Sequence, residues 1–379
     1  MTILAPTRPS RAFVSLTFMV ILIASALAQS TGVRASGVHQ KSKSSKKSAI
    51  SAPANAPTAT PEQSAPLPDV SKIRSAPLGD RLPGVPFNAS GIVEIGDGRF
   101  LFCDNKEPGA LFELRLDADG KAVGPVTRRP LTGIDPASIG DIEGLTTVRL
   151  RDETFVVATS SFNRLHTYEG KTMVAAEGFA GGLLRIREEP DGSLSVKNLP
   201  DFRAWLVSHF KELVESALKT PDEGGLNIEG LSWDPTRHAL MFGVRTPLID
   251  GAPIVLPVKL VGKSRTWDTT RFEALPAVRL RLDPAAAAQG IRSIEYDQTR
   301  KGFFFTVGKA VSGDKVPFYL YFWNGKDNSA PTRFVWVVFS KKFKVEGLTP
   351  ATLGGRDAVV LLDDGGGYSV LWADDLRLQ

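Results

Sequence analysis

Cysteine and histidine are scarce in this 379-residue chain, which contains one cysteine and four histidines. A single cysteine excludes an intramolecular disulfide framework and every zinc site built from several cysteines. The histidines are scattered, so a histidine-based metal site has little support. Hydrophobic residues make up 42% of the chain and charged residues 23%. This balance is typical of a globular protein and excludes a disordered or wholly membrane-embedded chain.

The positive charge of the chain is concentrated at one end. The formal net charge is +5, and the arginines and lysines of residues 1–68 account for the excess, so the remainder is close to neutral. A near-neutral folded region does not carry the basic surface that nucleic acid requires. Nucleic acid is therefore not expected as a partner.

The first 28 residues have the pattern of a secretory signal peptide. Arg8 and Arg11 precede an apolar run over residues 12–27, and Ala26-Leu27-Ala28 supplies a small-residue cleavage site. An uncleaved anchor is the alternative, but the run spans only roughly 24 Å at about 1.5 Å per residue, short of a bilayer core of about 30 Å. We therefore expect a periplasmic or secreted protein with no stable membrane span after cleavage.

Residues 29–80 are predicted to form a flexible linker rich in Ser, Ala, Pro and Lys. Such a segment buries too little apolar area to offset its ordering entropy. Its basic run, residues 41–47, is interpreted as a solvated tether, and contact with an anionic envelope surface is the alternative. The folded domain is then expected over residues 81–379.

An internal repeat predicts the architecture of that domain. A short sequence motif recurs along the domain, and each copy of it is followed about ten residues later by an apolar run. These runs are bounded by Gly, Asp and Pro, a pattern typical of buried strands. Units of about 40–50 residues with four short strands are the signature of propeller blades. The clear copies are residues 141–145, 227–231 and 344–348, and the degenerate copies are residues 88–92 and 290–294. The sequence thus predicts an all-β fold, a single β-propeller of about five blades, with six possible.

Finer elements follow from turn and helix signals. In the first unit, strands are predicted over residues 91–95, 99–104, 110–116 and 121–128, and in the fourth unit residues 334–339 are predicted as an outer strand. The last unit has only three obvious strands, so the segment 70–78 is a candidate for the fourth. Apolar residues with a 3.6-residue period predict one inserted amphipathic helix over residues 201–219, with Asp201 as N-cap. A short helix is predicted over residues 283–290.

The repeated Glu-Gly-Leu places one side chain per unit around the mouth of the predicted central funnel. This ring consists of Ser90, Glu143, Glu229, Arg292 and Glu346. Facing carboxylates repel, so they require a bound cation, Arg292 as a counter-ion, or shifted pKa values. An all-oxygen set suits Ca²⁺ or Mg²⁺, and the predicted metal ligands are Glu143, Glu229, Glu346 and Asp141. The alternative is that each Glu caps a tight turn by accepting backbone N–H groups, a packing role common in repeats.

Four other residues are candidates for ligand binding. Arg245 directly follows the apolar run 240–244, where a guanidinium at the channel rim would bind phosphate or carboxylate. The alternative is a surface arginine paired with a neighbouring acid. Arg292 belongs to the ring. Asp104 and Asn227 would supply further oxygen atoms nearby. Asp363 and Asp364 end an equivalent run in the last unit, where metal ligands and turn residues are equally compatible with the pattern. No Gly-x-Ser-x-Gly elbow is present, so a serine hydrolase has no support.

The run from Asn227 to Asp234, together with residues 240–247, resembles a bacterial propeller-like family known only as a domain of unknown function. Residues 290–294 and 345–348 fit the same pattern, and the resemblance covers roughly residues 88–372. The repeat is also similar to the Glu-Gly-Pro of gluconolactonase-type propellers and to phytase-like propellers. In gluconolactonase-type propellers that Glu binds a divalent metal, so the resemblance implies a metal role for Glu143, Glu229 and Glu346, with Leu in place of Pro.

Two functional classes follow from these observations. The first is a ligand- or partner-binding propeller of the bacterial envelope, a monomer that takes a small molecule or a protein at its funnel. The second is a divalent-metal-dependent hydrolase of a phosphate ester or lactone, in which metal-bound water attacks and Arg245 or Arg292 stabilises the developing negative charge. The sequence identifies no catalytic residue, and whether the protein is an enzyme stays open.

Overall fold

The computed structural model describes residue 73 and residues 75–376, apart from residues 152, 171, 263–265, 312, 314, 315 and 341. They belong to one compact unit, Ser64–Gln379. The predicted signal peptide, residues 1–28, lies outside the described residues, as does most of the predicted linker, residues 29–80.

Short β-strands separated by Gly- and Asp-containing turns dominate the described residues, which contain one α-helix. The strands are β1 (Ala76–Pro77), β2 (Asp80–Leu82), β3 (Val85–Pro86), β4 (Ala89–Gly96), β5 (Arg99–Asp104), β6 (Ala110–Arg115), β7 (Thr127–Thr132), β8 (Ile142–Leu150), β9 (Glu153–Ser160), β10 (Arg164–Glu169), β11 (Thr172–Phe179), β12 (Leu183–Glu188), β13 (Leu194–Leu199), β14 (Asn227–Asp234), β15 (Ala239–Thr246), β16 (Ile254–Leu260), β17 (Phe272–Ala274), β18 (Val278–Arg279), β19 (Gln289–Asp297), β20 (Gly302–Lys309), β21 (Tyr319–Trp323), β22 (Thr332–Arg333), β23 (Val345–Leu353), β24 (Arg356–Asp363) and β25 (Gly367–Trp372). The helix is α1 (Phe202–His209).

Neighbouring strands along the chain pair antiparallel and form successive groups, most of them with four strands. The first two groups, β4-β5-β6-β7 and β8-β9-β12-β13, join through a parallel pairing of β7 with β13 into one eight-stranded sheet. Strands β14 to β18 form the next sheet, β19 to β22 the one after it, and β23, β24 and β25 belong to the last sheet. Strands β10 and β11 form a separate hairpin inserted into the second group, and β2 pairs with β3.

The first strands of the groups form a closed ring. Strand β4 contacts β8, β8 contacts β14, β14 contacts β19, β19 contacts β23, and β23 contacts β4 again. The hydrophobic core is accordingly divided into clusters that lie between adjacent groups. Phe242 of β15, for example, shares a cluster with Phe155 of β9, and Phe102 of β5 shares one with Leu362 of β24. A ring of radially packed antiparallel sheets is the arrangement of a β-propeller.

The N-terminal end of the described chain completes the last sheet. Strand β1 adds to β25, with Ala76 opposite Tyr368 and Pro77 opposite Gly367, and the Leu78 amide donates to the Gly366 carbonyl over 2.9 Å. The strand predicted within residues 70–78 is therefore present at Ala76–Pro77, inside the segment assigned to the linker. It covers the edge of β25, which would otherwise expose unpaired backbone groups.

The helix prediction over residues 201–219 is wrong in length. Helix α1 ends at His209 because Phe210 adopts an extended conformation (φ −116°, ψ 103°) and is buried. Asp201 precedes the helix but makes no capping hydrogen bond through its side chain. Beyond α1 the chain continues as a 3₁₀ turn, Lys211–Leu213, and Leu218 is 67% exposed. No helix of the described residues is both long and apolar enough to cross a membrane.

Three further predictions need correction. The helix expected over residues 283–290 is a single 3₁₀ turn, Pro284–Ala286, in which Asp283 accepts from the Ala285 amide, and Gly290 already lies in β19. The fourth strand of the first unit is Thr127–Thr132, later than the predicted residues 121–128. Residues 334–339 form no strand: the apolar side chains of this stretch, including Phe334 and Phe339, pack as a loop into a core cluster.

Candidate site at the mouth of the central channel

Each strand of the central ring has an irregularity in its pairing at the repeated motif. The register shifts between Ile142 and Gly144, and equivalent shifts occur in β4, β14, β19 and β23. The residues skipped in the pairing include Ser90, Glu143, Glu229, Arg292 and Glu346. A β-bulge leaves one residue outside the ladder and re-aims its side chain. The motif therefore presents one polar side chain per group at the same level of the ring.

The glycine that follows the bulge is required by the adjacent central strand. A Cβ atom on Gly144 would lie 2.7 Å from the Leu231 Cβ, and one on Gly347 would lie 2.6 Å from the Ser90 carbonyl oxygen. Both distances are far below normal contact, so any larger residue would push neighbouring strands apart. In β19 the equivalent residue is Ser293, whose hydroxyl accepts from the Leu348 amide over 3.0 Å.

Arg292 lies between two of the motif glutamates. Its guanidinium forms a two-pronged hydrogen-bonded pair with Glu346, with 2.8 Å between Nε and Oε2, and Nη2 also donates to Glu346. Its Nε lies 2.9 Å from Glu229 Oε2, an ion pair without hydrogen-bond geometry. Burial alone would lower the pKa of Arg292, but Glu229 and Glu346 outweigh burial and raise it. Arg292 is therefore the internal counter-ion for both carboxylates.

Glu229 has two more partners from the predicted set. Arg245 Nη1 lies 2.6 Å from Glu229 Oε1, and Arg245 Nε donates to the Ala310 carbonyl over 2.8 Å. The Asn227 side-chain amide donates to the same Oε1 over 3.2 Å. The structure thus brings Arg245, Arg292 and Asn227 together around one carboxylate.

Glu143 makes its side-chain hydrogen bonds with uncharged residues. The Ser90 hydroxyl donates to its Oε2, and the Asn105 side-chain amide donates to its Oε1 over 3.1 Å. Burial, followed by the negative charges of Asp141 and Glu229, raises the pKa of Glu143 well above its ordinary value. The pKa of Glu346 is raised to about 7, mainly by burial and against the opposing effect of Arg292. Both carboxyl groups therefore hold their protons more tightly than exposed glutamates do.

The hydrogen bonds of the three motif glutamates come from side chains, which disfavours the alternative that each Glu caps a tight turn through backbone N–H groups. Asp104, by contrast, does have that role, because it accepts from the Asn88 and Lys106 amides over 2.9 and 2.7 Å. Asp363 likewise accepts from the Gly365 amide, over 2.8 Å. These two aspartates are occupied by turns.

The predicted metal ligands do not form a preformed ion-binding cluster in the described structure. They are Glu143, Glu229, Glu346 and Asp141. In the described part of the chain, no three Asp, Glu, His or Cys side chains are grouped so as to hold an ion. Asp141 accepts from the Asn163 side-chain amide over 2.8 Å, and Glu229 and Glu346 share Arg292. A Ca²⁺ or Mg²⁺ site would need these contacts to rearrange, and it stays a prediction.

A cleft of about 540 Å³ opens beside Arg292 and Glu346. Its walls combine basic and apolar side chains, and its lining residues are Arg292, Lys309, Val316, Pro317, Phe318, Phe339, Ser340, Lys344, Glu346 and Asp364. Lys344 lies 2.7 Å from Asp364, whereas Lys309 has no ion-pair partner among the described residues. The Phe318 ring lies 5.9 Å from the Arg292 guanidinium carbon.

The sequence interpretation missed Lys309 and Phe318. Lys309 follows the apolar run 303–307 closely, as Arg245 follows the run 240–244, and the same reasoning would have identified it. Phe318 carried no comparable signal, because it lies in a connection between strands β20 and β21.

Comparisons with known proteins give no family for this chain. No protein-family model matches it, and no curated protein matches it. Solved structures show distant likenesses. A protein described as an oxidoreductase (glucose dehydrogenase) from Thermus thermophilus is 15% identical, with 79% of this chain and 99% of that chain covered at a TM-score of 0.36. A streptogramin B lyase is 12% identical, with 79% and 97% covered, also at a TM-score of 0.36. Scores this low carry no argument about activity.

Proposed function

We propose that this protein is an exported five-bladed β-propeller that binds an anionic ligand with an apolar body in the cleft beside Arg292. Five central strands in a closed ring support the number of blades. Export is proposed from the apolar run at residues 12–27, and the folded unit would then act in the periplasm or outside the cell. The proposal makes it a binding protein rather than an enzyme.

The ammonium group of Lys309, unpaired among the described residues, carries the proposal. Lys344 and Arg292 have carboxylate partners at the cleft, whereas Lys309 lines it without one in the described part of the chain. A carboxylate or phosphate group on a ligand would supply the missing negative charge. Phe318, Phe339 and Val316 form the apolar part of the wall, and the volume of the cleft falls in the range usual for small-molecule sites.

Isothermal titration of the protein with octanoate, octyl phosphate and octanol tests this function. We expect the two anions to bind and the neutral alcohol to bind at least tenfold more weakly. Lys309→Met should weaken binding of both anions, and Phe318→Ala should weaken it through lost apolar contact. Lys301→Met is the matched control, because Lys301 lies outside the cleft lining. Equal binding of the three ligands, or no effect of Lys309→Met, would contradict the proposal.

A divalent-metal-dependent hydrolase of a phosphate ester or lactone is the second candidate. The observation in its favour is Glu143, which has no ion pair within 4 Å among the described residues and whose pKa is raised well above its ordinary value, mainly because burial penalises its charged form. A metal ion beside Glu143 would remove that cost, and Asp141 and Asn105 would provide further oxygen atoms. Binding of the ion would have to stabilise the folded protein, so a rise in the wild-type melting temperature with Ca²⁺ or Mg²⁺ tests this candidate.

A further inference from the structure

A second cavity lies further along the central strands than the motif ring. All five ring strands contribute to its wall, through Val93 and Glu94 of β4, Thr147 and Arg149 of β8, Trp233 of β14, Glu295 to Asp297 of β19 and Thr349 to Thr352 of β23. Glu295 is three residues beyond Arg292, roughly 10 Å along a strand at about 3.3 Å per residue. The cavity is therefore the opposite end of the channel from the cleft beside Arg292.

The charges at this end are mainly negative. Glu94, Glu295 and Asp357 line the cavity together with one basic residue, Arg149. Asp297 also lies there, but Arg300 pairs with it over 2.8 Å. Arg149 has no ion pair within 4 Å among the described residues, so it acts on these carboxylates only at longer range. Among the described residues that line this cavity, three acidic side chains without an ion pair therefore face a single arginine.

Glu295 is the most deeply placed of these carboxylates. Its side chain accepts from the Thr146 hydroxyl over 3.0 Å, whereas its Oε2 atom makes no hydrogen bond of acceptable geometry in the described structure. The residue is only 8% exposed. An unsatisfied buried carboxylate oxygen is costly, and a ligand that donates a hydrogen bond would satisfy it.

Two aromatic residues complete the wall. The indole of Trp233 is almost fully buried, and its Nε1–H has no hydrogen-bond partner among the described residues. Tyr296 follows Glu295 at the cavity edge. Aromatic surfaces beside carboxylates attract organic cations through both the ring quadrupole and apolar contact. The cavity measures about 240 Å³, a volume that restricts the ligand to a small molecule.

We propose that this cavity is a second binding site, which takes a small organic ammonium ion with its charge against Glu94 and Glu295 and its carbon atoms against Trp233. An ammonium group offers only donors, which matches an excess of acceptors. The site is separate from the cleft beside Arg292 and does not depend on anion binding there.

Cation binding must also release protons. Burial raises the pKa of Glu94, and it raises the pKa of Glu295 to about 8. The other charged groups around these two are Arg149, Asp97, Asp297, Arg300 and Asp357. A cation placed beside the two glutamates favours their ionised forms, so the heat of binding at pH 7 will vary with the ionisation enthalpy of the buffer.

Isothermal titration of the full-length chain with ethylammonium, propylammonium and the neutral probe ethanol tests the site. The two cations should bind saturably and ethanol should not. Glu295→Gln and Glu94→Gln should each weaken cation binding at least tenfold. Glu94→Gln is the safer variant for folding, because Glu94 is only partly buried. Glu273→Gln, at an exposed position outside the cavity, should bind like the wild type.

Three outcomes would overturn the proposal. The first is no saturable binding of either cation to the folded wild-type chain. The second is unchanged affinity in both Glu94→Gln and Glu295→Gln. The third is tighter binding of acetate than of ethylammonium with dependence on Arg149, which would make this end of the channel an anion site.

Discussion

Arg292 bridges two strands of the central ring by binding both oxygens of Glu346, with 2.8 Å between Arg292 Nε and Glu346 Oε2. The same Nε lies 2.9 Å from Glu229 Oε2. The degenerate copy of the motif, where Arg replaces Glu, is therefore the copy that neutralises its neighbours. A ring with Glu at this position as well would bury one more uncompensated charge.

The first prediction concerns the coupling of this pair. Arg292→Met and Glu346→Gln should each destabilise the protein, and the double variant should lose less than the sum of the two. A coupling free energy of about 1–3 kcal/mol is expected for a buried contacting pair. Urea unfolding of the four proteins measures it, and strictly additive losses would contradict the contact.

The second prediction concerns the glycine after the bulge. Gly144→Ala should destabilise the protein by about 1–3 kcal/mol, because the new Cβ would lie 2.7 Å from the Leu231 Cβ. Gly140→Ala is the matched control, since a Cβ there meets no atom within 4 Å. Thermal and urea unfolding compare them, and equal stability of the two variants would show that the strands are not packed this closely.

The third prediction concerns pH. The folded-state pKa of Glu295 is raised from 4.5 to about 8 by burial, so the folded chain binds a proton that the unfolded chain has released. The stability contributed by this proton is fully present below pH 4.5, is lost as the pH rises from there to about 8 by at most about 1.4 kcal/mol per pH unit, and changes no further above that pH. Glu295→Gln should reduce this loss. Urea midpoints measured at pH 5 and pH 9 test it, and an identical pH dependence in both proteins would contradict burial of an uncompensated carboxyl group.

The fourth prediction concerns closure of the last sheet by the N-terminal strand. Leu78 follows β1 and is buried in a core cluster with Phe87 and Phe102, so Leu78→Ala should cost about 2 kcal/mol or more. Leu82→Ala, at a side chain that is 53% exposed, should cost little. Removal of residues 69–80 should lower the melting temperature sharply. An unchanged melting temperature would show that this strand does not close the ring.

The repeat could be recognised in the sequence because bulge, glycine and strand recur together. Gly144 and Gly230 are required by close contact with the next strand, and such a steric need leaves the same residue in each copy. The ring of polar side chains could be predicted because equivalent positions of a repeat occupy equivalent places in successive sheets. The missing strand in the last unit could also be anticipated, because a propeller leaves no long edge unpaired.

Other features depended on contacts between distant parts of the chain. The pairing of Arg292 with Glu346 joins residues 54 positions apart, and no local pattern shows whether a carboxylate binds a metal or an arginine. Helix α1 ends early because the buried Phe210 adopts an extended conformation, which overrides the apolar period. The insertion of β10 and β11 was missed for a related reason: its side chains are largely exposed and lack the pattern of a buried strand.

Calcium-dependent thermal unfolding tests most directly whether Arg292 already neutralises the channel mouth. Wild-type protein should melt at the same temperature with and without Ca²⁺ or Mg²⁺, and Arg292→Met, which frees two carboxylates, should gain stability from the ion. Binding at 100 times the dissociation constant would stabilise the folded state by about 2.7 kcal/mol, an effect easily detected. A rise in the wild-type melting temperature that is lost in Glu143→Gln, Glu229→Gln and Glu346→Gln would instead establish a metal site and favour the hydrolase.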